Sequence, residues 1–136
     1  MALLDPDYDL VIGAYSSIWP RYERSGLGGL TRSERAVFLA WRFLCEVNNG
    51  GFRQFLSNPS GAHAEDTAAV LDETGMPHTA ALLRRVLSTG GPPWSSLSDA
   101  LDDLTDEFFR SAENPYLIIA QYVRDHIDAA PPSVVA

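Results

Sequence analysis

The stretch that most constrains the fold is E-V-N-N-G-G-F-R-Q-F-L-S-N-P-S-G, residues 46–61, because it lies between two strongly apolar, helix-like runs. Asn and Gly are poor helix formers, but they adopt positive φ at little cost. The pattern therefore predicts that a helix ends at residues 48–51 in a left-handed cap. Phe52 is expected to fold back and close that cap, which places Phe52 and Phe55 in the core.

Helical signals recur along the rest of the chain, whereas strand signals hardly appear. Thr31 and Glu34 form a capping-box pattern, Gly75 is placed to stop a helix, and Pro20 is expected to end or bend the first one. The predicted fold class is all-α, a single compact orthogonal helical domain of about six helices. The predicted helices cover residues 7–22, 31–47, 62–74, 77–88, 98–109 and 115–129, with a short helical piece over 52–56.

Length and composition fit one domain: 136 residues, 46% of them hydrophobic, suffice for one real core and not for two. Residues 1–30, a helix and a Gly-rich connector, are assigned to the same domain as residues 31–129, and residues 130–136 to a frayed tail. Cys45 is the sole cysteine and is expected to be buried, which excludes an intrachain disulfide. No signal peptide and no apolar run of about 20 residues is present, so a cytoplasmic location without membrane contact is expected.

Charge is distributed unevenly along the chain, whose net charge is −8. Residues 20–60 carry six Arg and three Glu, whereas residues 61–136 carry twelve acids and four Arg. The acidic end is expected to repel nucleic acid and to attract basic surfaces, so a basic or DNA-binding protein is the expected partner. The mildly basic segment could meet an acidic partner or a second copy of the chain, which leaves a homodimer open.

The densest group of acids falls on one side of the helix predicted over residues 98–109. Leu101, Leu104 and Phe108 occupy the opposite side. Five acids over about 12 Å of helix axis give about one charge per 2.4 Å, comparable with one DNA strand at about 3.4 Å per phosphate. The alternative is that these acids only complement the helix dipole and keep the protein soluble. The predicted acidic binding face comprises Asp99, Asp102, Asp103, Asp106 and Glu107, extended by Glu113, Asp125 and Asp128.

The stretch from Glu46 to Gly61 also resembles the signature of a bacterial family, the DNA mimic proteins, in their C-terminal domain. The similarity extends over about residues 30–127 and includes the helices on either side. It implies an all-helical, acidic, non-enzymatic protein whose carboxylates act as a decoy for a DNA-binding protein or transcription regulator. Compared with the best-described member, which has a full N-terminal domain, residues 1–30 are expected to supply a short helical preface. The signature residues are Glu46, Asn48, Asn49, Gly50, Gly51, Phe52, Gln54, Phe55, Asn58 and Gly61.

The polar signature residues allow two interpretations. In the structural one, the amides satisfy backbone groups at the helix end and in the neighbouring loop, while the glycines serve the backbone geometry. In the functional one, the amides form a recognition surface, with Gln54 and Asn58, for a peptide or another chain.

Catalytic and metal-binding patterns are sparse, so no enzyme, cofactor or metal is predicted. His63 and Glu65 copy the H-x-E of zinc deaminases, but the P-C-x-x-C that completes such a site is missing. The Gly-rich connector lacks the lysine of a phosphate-binding loop. The function predicted is non-enzymatic protein binding as a DNA mimic. The alternative is an immunity or antitoxin-like protein that neutralises a basic toxin or nuclease.

Overall fold

The computed structural model describes residues 5–89 and 98–127, which form six α-helices and two short 3₁₀ turns. Within these residues there is no strand, so the all-α prediction is confirmed. No described helix is long and apolar enough to cross a membrane. The helices are α1 (Pro6–Ser25), α2 (Arg32–Ser57), α3 (Ala64–Thr74), α4 (Pro77–Ser88), α5 (Ser98–Phe109) and α6 (Pro115–His126), with 3₁₀ turns at Leu27–Gly29 and Pro59–His63.

Helix α2 is the centre of the fold, because it packs against α1, α3, α5 and α6. Its apolar residues recur at helical spacing and bury one side of every turn from Ala36 to Val47. Phe43 of α2 packs against three other phenylalanine rings. The centroid of its ring lies 5.9 Å from that of Phe52, 5.1 Å from that of Phe55 and 6.0 Å from that of Phe108 in α5. This aromatic cluster attaches α5 to the C-terminal half of α2.

The start of α2 follows the sequence pattern. Glu34 N–H donates to Thr31 Oγ1 at 3.2 Å, and Thr31 N–H donates to Glu34 Oε1 at 2.9 Å, so the predicted capping box is present. Both Glu34 oxygens also accept hydrogen bonds from Arg21 of α1, at 2.7 and 2.6 Å. The cap residue thereby joins α1 to α2 as well as opening the helix.

Helix α3 ends at Gly75 as predicted, in the left-handed conformation with φ +105° and ψ 25°. Gly75 N–H donates to the Asp72 carbonyl, and Met76 N–H donates to the Leu71 carbonyl, which together form a Schellman motif. Met76 is buried, so the apolar residue that closes this motif joins the core.

Three sequence expectations need correction. Helix α1 does not end near Tyr22 or at Pro20 but continues to Ser25, since the carbonyl that Pro20 leaves without a donor belongs to exposed Ser16. Cys45 is exposed rather than buried, because it lies on the outer side of α2. The last helix ends at His126 rather than near residue 129, since Ile127 already has an extended backbone conformation with φ −107° and ψ 123°. The expected tail over residues 130–136 lies outside the described residues.

The kinked signature helix and the acidic helix α5

The signature glycines bend α2 instead of ending it. Gly50 has φ −147° and ψ 20°, and Gly51 has φ +75° and ψ −174°. The predicted positive φ is therefore present at Gly51, but its ψ lies outside the left-handed helical region, so the expected left-handed cap is wrong. Gly51 occupies a region that only glycine reaches readily. The helix resumes at Phe52 and runs to Ser57.

Thr105 of α5 fits against this kink. Phe52 N–H donates to Thr105 Oγ1 at 3.0 Å, and the Thr105 hydroxyl donates to the Leu101 carbonyl at 2.9 Å. A Cβ atom at Gly51 would lie 2.9 Å from Thr105 Oγ1, closer than real Cβ contacts allow. Gly51 thus serves two purposes: it supplies the backbone conformation and it leaves room for α5.

The polar signature residues form one hydrogen-bonded network around the kink. Glu46 Oε1 accepts from Gln54 Nε2 at 2.6 Å and from Asn58 Nδ2 at 2.8 Å. Asn49 Nδ2 in turn donates to Gln54 Oε1 at 2.9 Å. These bonds connect the helix before the kink to the helix after it. They join side chains to one another, whereas the structural interpretation expected the amides to satisfy backbone groups.

The remaining signature residues hold neighbouring elements in place. Asn48 Nδ2 donates to the Tyr116 hydroxyl of α6 at 3.2 Å. Phe52 and Phe55 are fully buried, which confirms the predicted core positions. A Cβ at Gly61 would lie 2.4 Å from the Leu56 carbonyl oxygen, so only glycine fits the turn that follows α2.

Helix α5 separates apolar and acidic residues as its sequence predicts. Leu101, Leu104 and Phe108 are buried against the rest of the domain. The carboxylates on the other side lie at the surface. Asp99, Asp102, Asp103 and Asp106 are exposed, and Glu107 is partly buried.

Two of these five acids are neutralised by arginines. Arg53 pairs with Asp102 at 2.7 Å, and Arg85 pairs with Glu107 at 3.2 Å. Asp99, Asp103 and Asp106 make no ion pair with any residue in 5–89 or 98–127, and all ten arginines of the chain lie in those ranges. They follow one another at spacings of four and three residues, so they share one stripe of the helix surface.

Four other arginines pair with acids elsewhere on the domain. The four further ion pairs among the residues that the structure describes are Arg21–Glu34, Arg32–Glu73, Arg84–Asp72 and Arg124–Asp7.

The three acids proposed to extend the face have different surroundings. Glu113 accepts from the backbone N–H groups of His78 and Thr79 at 2.8 and 2.9 Å, and from the Thr79 hydroxyl at 2.6 Å. Its carboxylate therefore caps α4, whose own N-cap residue supplies no side-chain bond. Asp125 is exposed and accepts from Gln121 at 3.0 Å. Asp128 lies outside the described residues.

The side chains that carry catalytic chemistry in other proteins are dispersed here. The described residues contain no group of three or more His, Cys, Asp or Glu side chains placed to hold a metal ion. Partial desolvation of its sulfur raises the pKa of the Cys45 thiol, and the adjacent Glu46 carboxylate adds to that rise. A raised pKa lowers the fraction of reactive thiolate, which is the opposite of what a nucleophilic cysteine requires.

Comparison with known proteins identifies the family. The family model described as DMP19-like protein matches residues 28–126, a range that includes the kinked helix and all of α5. No curated protein and no solved structure matched the chain significantly. The family match covers well over half of the sequence and agrees with the resemblance carried by residues 46–61. The chain therefore belongs to the DMP19-like protein family.

Proposed function

We propose that this chain is a protein-binding DNA mimic whose α5 carboxylates occupy the DNA-binding surface of a basic partner. Membership of the DMP19-like family, a family of DNA mimics, supports this function. The observation that carries it is the stripe of Asp99, Asp103 and Asp106, exposed and without ion pairs among the described residues. These carboxylates can attract a cationic surface because none of the described residues forms an ion pair with them.

The spacing of the three carboxylates determines how many DNA phosphates they can imitate. Asp99 and Asp106 are separated by about 10 Å along the helix axis, at 1.5 Å per residue. Three carboxylates over that length correspond to about three phosphates of one DNA strand, at roughly 3.4 Å of axis each. Asp102 and Glu107 flank the stripe, but their arginine partners reduce their contribution. The stripe matches part of a DNA footprint, and partial overlap is sufficient for competition.

Such an interface should associate rapidly and weaken as salt rises. Exposed charges separated by more than about 8–10 Å are largely screened at physiological ionic strength, so binding should be strongest at low salt. Electrostatic complementarity raises the association rate more than it slows dissociation. Salt-sensitive association therefore serves as the kinetic signature of the proposed interface.

The proposal is tested by capture from a host lysate on the immobilised chain at low salt, with duplex DNA as competitor and a salt gradient for elution. We expect DNA-binding proteins to be retained, to be displaced by added DNA, and to elute early in the gradient. Retention of a basic toxin or nuclease that duplex DNA does not displace would instead support the immunity function. If neither duplex DNA nor salt releases the captured proteins, the proposal is contradicted.

Two variants of equal charge make this test specific to α5. The α5 variant carries Asp99→Asn, Asp103→Asn and Asp106→Asn. Its charge-matched control carries Glu23→Gln, Glu65→Gln and Asp66→Asn, three exposed acids that form no ion pair with the described residues. Each variant removes three negative charges. The α5 variant removes one acid from the first turn of α5, and the control removes two from the first turn of α3. Only the α5 variant should lose the partner.

A further inference from the structure

Large apolar side chains are exposed at a few positions of the described residues, and some of them lie close together. Among the described residues four are exposed: Tyr8 at 44%, Phe109 at 55%, Tyr116 at 38% and Leu117 at 50%. The rings of Tyr8 and Tyr116 lie 6.4 Å apart, and Leu117 follows Tyr116 in α6. Isolated exposed apolar residues are ordinary, whereas grouped ones mark interaction surfaces.

These residues are connected to α5 through the signature kink. The Tyr116 hydroxyl accepts from Asn48, which precedes the kink by two residues, and Gly51 within the kink contacts Thr105. Phe109 lies four residues after Thr105, on the same side of α5. These contacts connect Tyr8 and Tyr116 to Phe109 by way of the kink. We call the exposed rings of Tyr8, Tyr116 and Phe109, together with the kink that connects them, the aromatic surface.

Acids without ion pairs lie near rings of this aromatic surface. Asp106 precedes Phe109 by three residues, on the same side of α5, and Asp9 follows Tyr8 in α1. Both acids are exposed and neither forms an ion pair with the described residues. Exposed aromatic rings next to free carboxylates suit a cation that can stack and pair at the same time. This charge complementarity indicates a cationic occupant.

We propose that the aromatic surface receives an arginine-bearing segment of the partner protein, with its guanidinium groups stacked on Phe109 and Tyr116 and paired with the neighbouring carboxylates. The inference rests on the proposed function, since it names the partner chemistry that the same face selects. Arginine is preferred over lysine because its guanidinium is planar, weakly hydrated and able to stack, whereas the lysine ammonium is a strongly hydrated point charge. A surface with carboxylates but no exposed rings could pair with arginine but could not stack against it, so it would prefer arginine over lysine less strongly.

The test measures binding of a nona-arginine and a nona-lysine peptide to the intact chain, by fluorescence anisotropy at two salt concentrations. Oligo-arginine can be preferred by any acidic surface, so the decisive quantity is how the arginine-to-lysine affinity ratio changes in variants. Phe109→Leu keeps an exposed apolar side chain and removes the ring, while Phe109→Tyr keeps the ring. Tyr116→Leu, which also removes the Asn48 bond and the contact with Trp41, is paired with Tyr116→Phe, which keeps the ring.

We expect Phe109→Leu and Tyr116→Leu each to lower the ratio by about 2–5-fold, the size of an exposed cation–π contact, and the ring-preserving variants to retain it. An unchanged ratio in both Leu variants would overturn the inference, whatever the absolute affinities. The α5 variant distinguishes that failure from failure of the proposed function. If the α5 variant binds both peptides as tightly as its charge-matched control does, the proposed function fails. If the α5 variant binds both peptides more weakly, but the arginine-to-lysine affinity ratio is the same in both Leu variants as in the wild type, only the inference fails.

Discussion

Substitution of Gly51 by alanine tests whether the signature glycine is required by backbone geometry. Gly51 has φ +75° with an extended ψ, a conformation that costs a residue with a Cβ about 1–3 kcal/mol. The new Cβ would also lie 2.9 Å from Thr105 Oγ1, the acceptor of the Phe52 N–H bond. Displacing that hydroxyl adds about 1 kcal/mol for the weakened hydrogen bond.

The backbone cost and the hydrogen-bond cost together are expected to lower the free energy of unfolding of Gly51→Ala by about 2–4 kcal/mol. For a chain of this size that corresponds to a fall in Tm of about 4 °C per kcal/mol. The measurement is chemical denaturation followed by circular dichroism, with the Tm as a second reading. The m-value should stay unchanged if the native fold is retained.

Gly13→Ala is the matched control for this substitution. Gly13 lies inside α1, is exposed, and no heavy atom lies within 4 Å of the position its Cβ would take. Alanine there should stabilise the protein by about 0.4–1 kcal/mol, because helical glycine carries an entropic penalty. The two substitutions are chemically identical and are expected to have opposite signs. If Gly51→Ala were neutral or stabilising, the geometric role assigned to Gly51 would be refuted.

Three further perturbations test the other contacts. Thr105→Val should cost about 1–3 kcal/mol by leaving the Phe52 N–H unpaired, and Thr105→Ser should restore most of that; equal losses in both would contradict the role of the hydroxyl. Glu113→Gln should destabilise by about 1–2 kcal/mol through the weakened cap of α4, against less than about 0.5 kcal/mol for exposed Glu23→Gln. Hydrogen bonding to Arg21 holds the pKa of Glu34 below its ordinary 4.5, so the stability it contributes is complete above about pH 4.5 and is lost as pH falls further. The difference in urea midpoint between the wild type and Glu34→Gln should accordingly narrow from pH 6 to pH 3, and a constant difference would count against that pair.

Local chemistry made much of the fold predictable from the sequence. The capping box at Thr31 and the stop at Gly75 depend on residues within a few positions of each other, and both are present. The apolar stripe of α5 was predictable for the same reason, since Leu101, Leu104 and Phe108 repeat at helical spacing.

The features that could not be predicted depend on residues far apart in the chain. The sequence pattern predicts a helix end at residues 50–51 because Thr105, whose hydroxyl accepts the Phe52 N–H bond at the kink, lies more than fifty residues away. Glu113 reads as one more surface acid because its partners belong to the start of α4. Nor does the sequence show which acids the arginines neutralise, since the Arg53–Asp102 pair spans two helices. Charge counts alone therefore overestimate the free carboxylates of α5.

The central claim is that the free carboxylates of α5, and not the overall negative charge, bind a basic partner. The measurement is a three-way capture from one host lysate at low salt, with the wild type, the α5 variant and its charge-matched control immobilised at equal density. We predict that the control retains the DNA-displaceable partner like the wild type, and that the α5 variant loses it. Equal retention by all three proteins, or equal loss in both variants, would contradict the claim.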